Sequence, residues 1–271
     1  MSRRIRGFTL LELIIVIVIL AVLSVGVFSY IGIGANIYTD AVSRDQLTSQ
    51  SRFAIERLTR ELRNSLPRSQ RVNDADNSRC LEYVPIFASS SYLQIPTPGL
   101  NAGAEFIAVQ PTENAPIPAG SKLMVYATTR NHIYNNASIR SKADPILSAG
   151  PQAGLVEISY SGTPQFFPTQ SPARRYYIAS QPVSWCVQGS ELRRYTNYGW
   201  QTVQPSALWL AAGEAYETMA VGLSNSESEA PFYVEEATLR RTAVVQMDFR
   251  FTSSKNEPMK LLHEVHVPNV P

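Results

Sequence analysis

A chain of 271 residues is long enough for one domain with a full hydrophobic core, or for two small ones. Its formal charge of +2 comes from 24 basic and 22 acidic residues, and three of the basic ones, Arg3, Arg4 and Arg6, fall in the first six positions. The near-neutral remainder holds only scattered basic pairs (Arg174-Arg175, Arg193-Arg194, Arg240-Arg241) that read as solvated strand faces, which excludes the basic stripe a nucleic-acid partner requires.

The chain opens Met-Ser-Arg-Arg-Ile-Arg-Gly and then turns almost wholly apolar, with no charge from Leu13 to Ile33. Twenty-one helical residues span about 30 Å, the thickness of a bilayer's hydrocarbon core. The N-terminal arginines belong on the cytoplasmic side by the positive-inside rule, so everything after the span is exported. A cleaved secretory signal would have a shorter apolar run before a small-residue cleavage site, and Gly34-Ala35 offers the nearest such site. A plain anchor fits the length but not Glu12. A carboxylate at this depth costs a few kcal/mol unless it snorkels or finds a partner.

Arg6-Gly7-Phe8-Thr9-Leu10-Leu11-Glu12-Leu13 resembles the type III signal sequence of type IV prepilins and of the pseudopilins of type II secretion. The resemblance implies cleavage by a prepilin peptidase between Gly7 and Phe8, methylation of the new Phe8 amine, and a basic flank of Arg3, Arg4 and Arg6. It implies that Glu12 offsets the N-terminal charge of a neighbouring subunit during assembly. Opposite charges in a low-dielectric surround attract strongly, while either alone is costly. The partners it implies are the peptidase, other major and minor pilins, an inner-membrane assembly platform, and membrane lipid before assembly. Major pilins commonly carry a proline near the position of Ser29, and this chain does not; Gly26, Gly32 and Gly34 offer weaker points for the helix to loosen.

No helix breaker appears before Pro67, and Leu47, Ser51, Ala54-Ile55, Leu58 and Leu62 recur at three- and four-residue steps. One helix is expected from Phe8 to about Ser65, with this stripe on a sheet and Arg52-Glu56-Arg60 and Arg57-Glu61 on the opposite side. After Pro67, short runs rich in Val, Ile, Tyr and Phe alternate with turn residues. Strands are expected at 81–84, 92–95, 105–109, 122–127, 155–160, 175–179, 183–187, 191–195, 244–251 and 261–267, with a hairpin at Gln188-Gly189-Ser190. A short helix or loop is expected over Trp209–Tyr216, and a solvated loop over Gly222–Pro231.

The expected architecture is α+β: a leader (1–7), a pilin helix (8–66) with a transmembrane segment at about 13–33, and a predominantly antiparallel β-sheet domain (67–271) in the periplasm. The segment from Arg52 to Arg63 resembles the helix end of the larger minor pilins, the GspJ and PilW type. Cys80 and Cys186 both lie in the exported part, which favours one disulfide closing a loop of about a hundred residues, worth roughly 4–5 kcal/mol in the chain-entropy model.

The residues give no sign of catalysis or of a cofactor. His263 and His266 sit in a strand-like run, where three-residue spacing points them to opposite faces. Asp74-Ala-Asp-Asn77 starts like a calcium loop, but Arg79 and Pro85 stand where glycine and the closing glutamate are needed. No nucleophile elbow, phosphate loop or Cys-x-x-Cys is present. Two function classes remain: an assembly subunit of a type IV pilus or type II secretion pseudopilus, and an anchored adhesin with its own binding activity. Adhesive sites are loop shapes rather than motifs, so the residues alone do not separate these.

Overall fold

The computed structural model describes residues 9–77, 79–99, 103–113, 115–237, 241–253 and 257–268. Helix α1 (Leu10–Arg63) runs unbroken for 54 residues, about 80 Å, through Gly26, Gly32 and Gly34. It starts at Thr9 in a capping box with Glu12, and it stops where the Asn64 N–H turns back onto the carbonyls of Arg60 and Glu61, three residues before Pro67. Its buried residues are Ser51, Ala54, Ile55, Leu58 and Leu62, the expected stripe.

The strands are β1 (Arg71–Val72), β2 (Cys80–Tyr83), β3 (Ile86–Ser91), β4 (Glu105–Val109), β5 (Lys122–Met124), β6 (Ser141–Ala149), β7 (Leu155–Ser161), β8 (Arg175–Ala179), β9 (Val183–Gln188), β10 (Glu191–Tyr195), β11 (Tyr216–Val221), β12 (Phe232–Glu235), β13 (Ala243–Thr252) and β14 (Pro258–Val267). Two short helices, α2 (Arg130–Tyr134) and α3 (Ala207–Gly213), interrupt them. The fold is α+β, with every ladder antiparallel.

Three sheets form. One has the order β1-β2-β9-β10-β11, and a second has β12-β13-β14. The α1 stripe packs on both, against Leu81, Tyr83, Trp185 and Leu192 of the first and Val245, Met247, Phe249 and Phe251 of the second. The third, β3-β8-β5-β6-β7-β4, is built wholly from residues 86–179. Its edges meet through a Tyr92–Ala108 bridge and a 3.0 Å bond from the Leu93 N–H to the Ile107 carbonyl, so the six strands curl into a small barrel. Phe106 fills its centre, 6.1–6.4 Å from the rings of Tyr92, Tyr160, Phe167 and Tyr176. This barrel is one continuous insertion between β2 and β9, which are neighbours in the first sheet. Cys80 and Cys186 face each other across that β2–β9 ladder and are joined by a disulfide at the root of the insertion, with Cα atoms 4.1 Å apart.

A buried polar seam ties the barrel to the sheets below. Arg71 pairs with Glu82, stacks 3.5 Å over the Tyr134 ring of α2, and donates to the Gln201 and Thr202 carbonyls at 2.8 Å. Tyr198 donates to the other Glu82 oxygen at 2.8 Å. Burial pushes the Glu82 carboxyl above its ordinary range despite Arg71.

Several expectations need correction. The strand expected at 92–95 does not form: β3 occupies 86–91, and Tyr92 just beyond it makes the isolated bridge to Ala108. The strand expected at 122–127 stops at Met124, because Tyr126 takes a left-handed conformation (φ 51°). The 222–231 loop is not simply solvated: Leu223 and Asn225 are buried, and Asn225 bonds to Asp248 and Arg250 of β13. Glu61 was expected on the side of α1 away from the domain, and instead it faces the first sheet. Its carboxylate accepts from Trp185 Nε1 at 3.2 Å, Arg194 Nε at 3.1 Å, Arg57 Nε at 3.1 Å and the Tyr83 hydroxyl. Burial pushes the Glu61 carboxyl up, but the bonds from Tyr83, Arg194 and Arg57 outweigh it and hold it below the ordinary range.

Glu61→Ala leaves the buried Tyr83 and Trp185 donors unmet, and a denaturation series is expected to show a loss of roughly 2–3 kcal/mol. The Glu61→Gln variant should differ from wild type most at neutral pH. A lowered folded-state pKa contributes stability above the unfolded value and loses it as pH falls through the folded one, so the gap in melting temperature should close in acid. The Cys80→Ser/Cys186→Ser variant should unfold roughly 2–5 kcal/mol more easily in the same assay.

The candidate assembly site on the N-terminal helix

Among the described residues, nothing outside α1 packs against its first half. From Leu10 to Thr39 every side chain is exposed, including Leu10, Val22, Phe28 and Tyr30, each more than two-thirds open. A helix that is apolar all round needs either lipid or other helices about it. Two hydroxyls of this stretch are met by the helix itself: Ser24 donates to the Leu20 carbonyl at 2.7 Å and Thr39 to the Asn36 carbonyl at 2.9 Å.

Glu12 is the single charge between Thr9 and Thr39. Its N–H donates to Thr9 Oγ1 at 3.3 Å, and its Oε2 accepts from the Thr9 N–H at 3.3 Å and from the Thr9 hydroxyl at 3.2 Å. The carboxylate is thereby folded over the first turn of its own helix, where the free N–H groups and the helix dipole favour negative charge. Chemically, this is one anion held at the head of an apolar rod, able to accept a cation there. Thr9 is the residue that sequence reasoning overlooked, although the Thr-x-x-Glu spacing of a capping box is legible at 9–12.

Gly7, Phe8, Arg3, Arg4 and Arg6 lie outside the described residues. Cys80 and Cys186 are joined in the sheet domain and belong to no site with Glu12. His263 and His266 take opposite sides of β14: His263 turns in to share a 3.1 Å hydrogen bond with Thr59, and His266 is exposed. Residues Asp74–Asp76 form a short 3-10 turn, and Asp76 Oδ2 accepts the Ala207 N–H at the head of α3. Among the described residues, no group of three or more His, Cys, Asp or Glu side chains is arranged to hold a metal ion.

No curated protein and no solved structure matches the chain. Residues 2–28 match the prokaryotic N-terminal methylation motif. The helix that begins within this match is the one described helix long and apolar enough to cross a membrane. The chain therefore carries a type IV pilin-like N-terminal signal at the head of a membrane-length helix.

Proposed function

We propose that this protein is a minor pilin. A prepilin peptidase removes residues 1–7 by cutting between Gly7 and Phe8, and Phe8 becomes the methylated first residue. Arg3, Arg4 and Arg6 keep the leader in the cytoplasm. Helix α1 holds the chain in the inner membrane with the sheet domain in the periplasm, and an assembly platform then moves the helix into a filament among other pilins. The observation that carries this reading is the methylation motif at the head of a helix whose apolar first half carries one charge, Glu12, in the first turn. Once cleaved, the chain presents an amine at Phe8 and an acid four residues on. In a low-dielectric filament core, the acid of one subunit and the amine of the next neutralise each other.

The size of the exported domain, enlarged by the barrel of residues 86–179, supports a minor rather than a major subunit. The Ser184–Tyr195 segment and the Glu-Val-His-Val-Pro-Asn-Val-Pro run resemble a biogenesis subunit of the MSHA pilus, and that resemblance supports an MSHA-type pilus as the filament served. A minor pseudopilin of type II secretion would share the signal. The barrel favours one further reading, a pilus-associated binding subunit, because a lobe with its own aromatic core is not needed to seat the helix. The reading assigns the chain no catalysis and no cofactor.

Intact-mass analysis of the full chain from cells with and without the prepilin peptidase tests the reading. Loss of Met1 to Gly7 with gain of one methyl group, in peptidase-positive cells alone, is the expected result. An uncut chain in both strains would leave a plain membrane anchor.

A further inference from the structure

The first sheet has two covered faces. Leu81, Tyr83, Trp185 and Val187 pack under α1, while Cys80, Cys186 and Tyr195 pack under Tyr198 and α3 on the other side. Helix α3 is capped by its own Ser206 and held there by two contacts, from Asp76 and through Gln204. The Ser206 hydroxyl accepts the Trp209 N–H at 3.2 Å, Asp76 accepts the Ala207 N–H at 2.6 Å, and Gln204 Nε2 donates to the Cys80 carbonyl at 3.0 Å. Beside this anchor lies an open cleft of about 300 Å³, lined by Asn73, Gln201, Val203, Gln204, Ser206 and Trp209.

The lining has a definite chemical character. It includes no charged side chain, and no Asp, Glu, Lys or Arg occurs anywhere from Tyr195 to Gly213. Trp209 is 47 % exposed on a rigid support, an indole with an apolar face open to solvent. Three primary amides and a hydroxyl surround it, groups that both donate and accept hydrogen bonds. Gln204 is buried and serves the wall structurally: its Nε2 donates to the Cys80 carbonyl, and its Oε1 is closed off from solvent. The amide nitrogens of Asn73, Gln201 and Gln204 already hold backbone carbonyls, which fixes the polar wall in place. A purely apolar ligand would leave the wall's remaining capacity, at Gln201 Oε1 and the Ser206 hydroxyl, unused, and an ion would be desolvated against a wall with no counter-charge. A ring with one C–H face and an edge of hydroxyls uses both parts of the lining. The volume, at the low end of the small-ligand range of about 300–1,000 Å³, suits a monosaccharide.

We infer that this cleft is a binding site for a neutral saccharide, with Trp209 as the stacking platform and Gln201, Asn73 and Ser206 as partners for its hydroxyls. The cleft lies on the sheet face turned away from α1, so a filament with α1 at its core displays it outward. That orientation rests on the pilin reading, whereas the binding chemistry does not.

The test uses the full chain in lipid nanodiscs, and so is independent of filament assembly. Saturation-transfer NMR would be run with methyl glucoside, methyl galactoside and N-acetylglucosamine, and with glucuronate and glucosamine as charged comparators. At least one neutral sugar should receive saturation at its ring C–H protons, with the charged ones weaker. Trp209→Ala should weaken binding about tenfold or more, Trp209→Phe should retain part of it, and Gln201→Ala should weaken it with an unchanged melting profile. No transfer to any neutral sugar above empty nanodiscs would overturn the inference. Wild-type binding by Trp209→Ala, or charged sugars binding as well as neutral ones, would overturn it too.

Discussion

A single continuous helix has to satisfy two surroundings, and that constraint shapes everything after it. Through Thr39 the helix is exposed on every side and nearly uncharged; from Ser51 onward it offers one narrow stripe of Ala54, Ile55, Leu58 and Leu62. A narrow stripe buries limited area, so the domain must grip the helix by other means as well. Glu61 supplies that grip: one carboxylate on the helix gathers Tyr83, Trp185 and Arg194 from three adjacent strands of the sheet. Removing it would strand buried donors rather than merely delete a surface pair, which is why it matters more than an ordinary i,i+4 contact. The helix then acts as a rigid lever between the membrane-length half and the folded half.

The barrel adds a second demand. An insertion of residues 86–179 between two paired strands concentrates any motion of the lobe at its root. The disulfide stands three residues before β2 ends, and the Arg71–Glu82 pair with Tyr134 and Tyr198 fills the seam above it. A covalent tie and a saturated polar network resist different failures: the first holds strand register, and the second fixes the angle between lobe and sheet. Burying Glu82 costs desolvation that Arg71 only partly offsets, so the seam contributes specificity of packing more than raw stability.

Much of this was legible in the residues, and the limits have physical causes. The helix was legible because its period and its lack of breakers are local properties, and strands 105–109, 175–179 and 191–195 were legible because alternation and flanking turns bound them tightly. The Gly189-Ser190 hairpin was legible too, and Gly189 takes the positive φ of 55° that such a turn needs. β6 was missed because Asp144, with φ 49°, and Pro145 put a bulge in its middle and break the alternation. β3 was missed because half of it is serine. The insertion, the facing register of Cys80 and Cys186, and the inward turn of Glu61 depend on contacts distant in the chain, which no local pattern encodes. Thr9 differs from these, since its capping box could have been read from four residues.

The account depends most on the claim that the exposed half of α1 lies in the membrane and the sheet domain outside it. With Cys80 and Cys186 joined, a cysteine introduced at Ile19, Leu23 or Ser224 would be the single free thiol. Labelling intact spheroplasts with a membrane-impermeant maleimide reads its position directly. The account predicts rapid labelling at Ser224→Cys and protection at Ile19→Cys and Leu23→Cys. Labelling at 19 and 23 as fast as at 224, or labelling at 224 only after lysis, would contradict it.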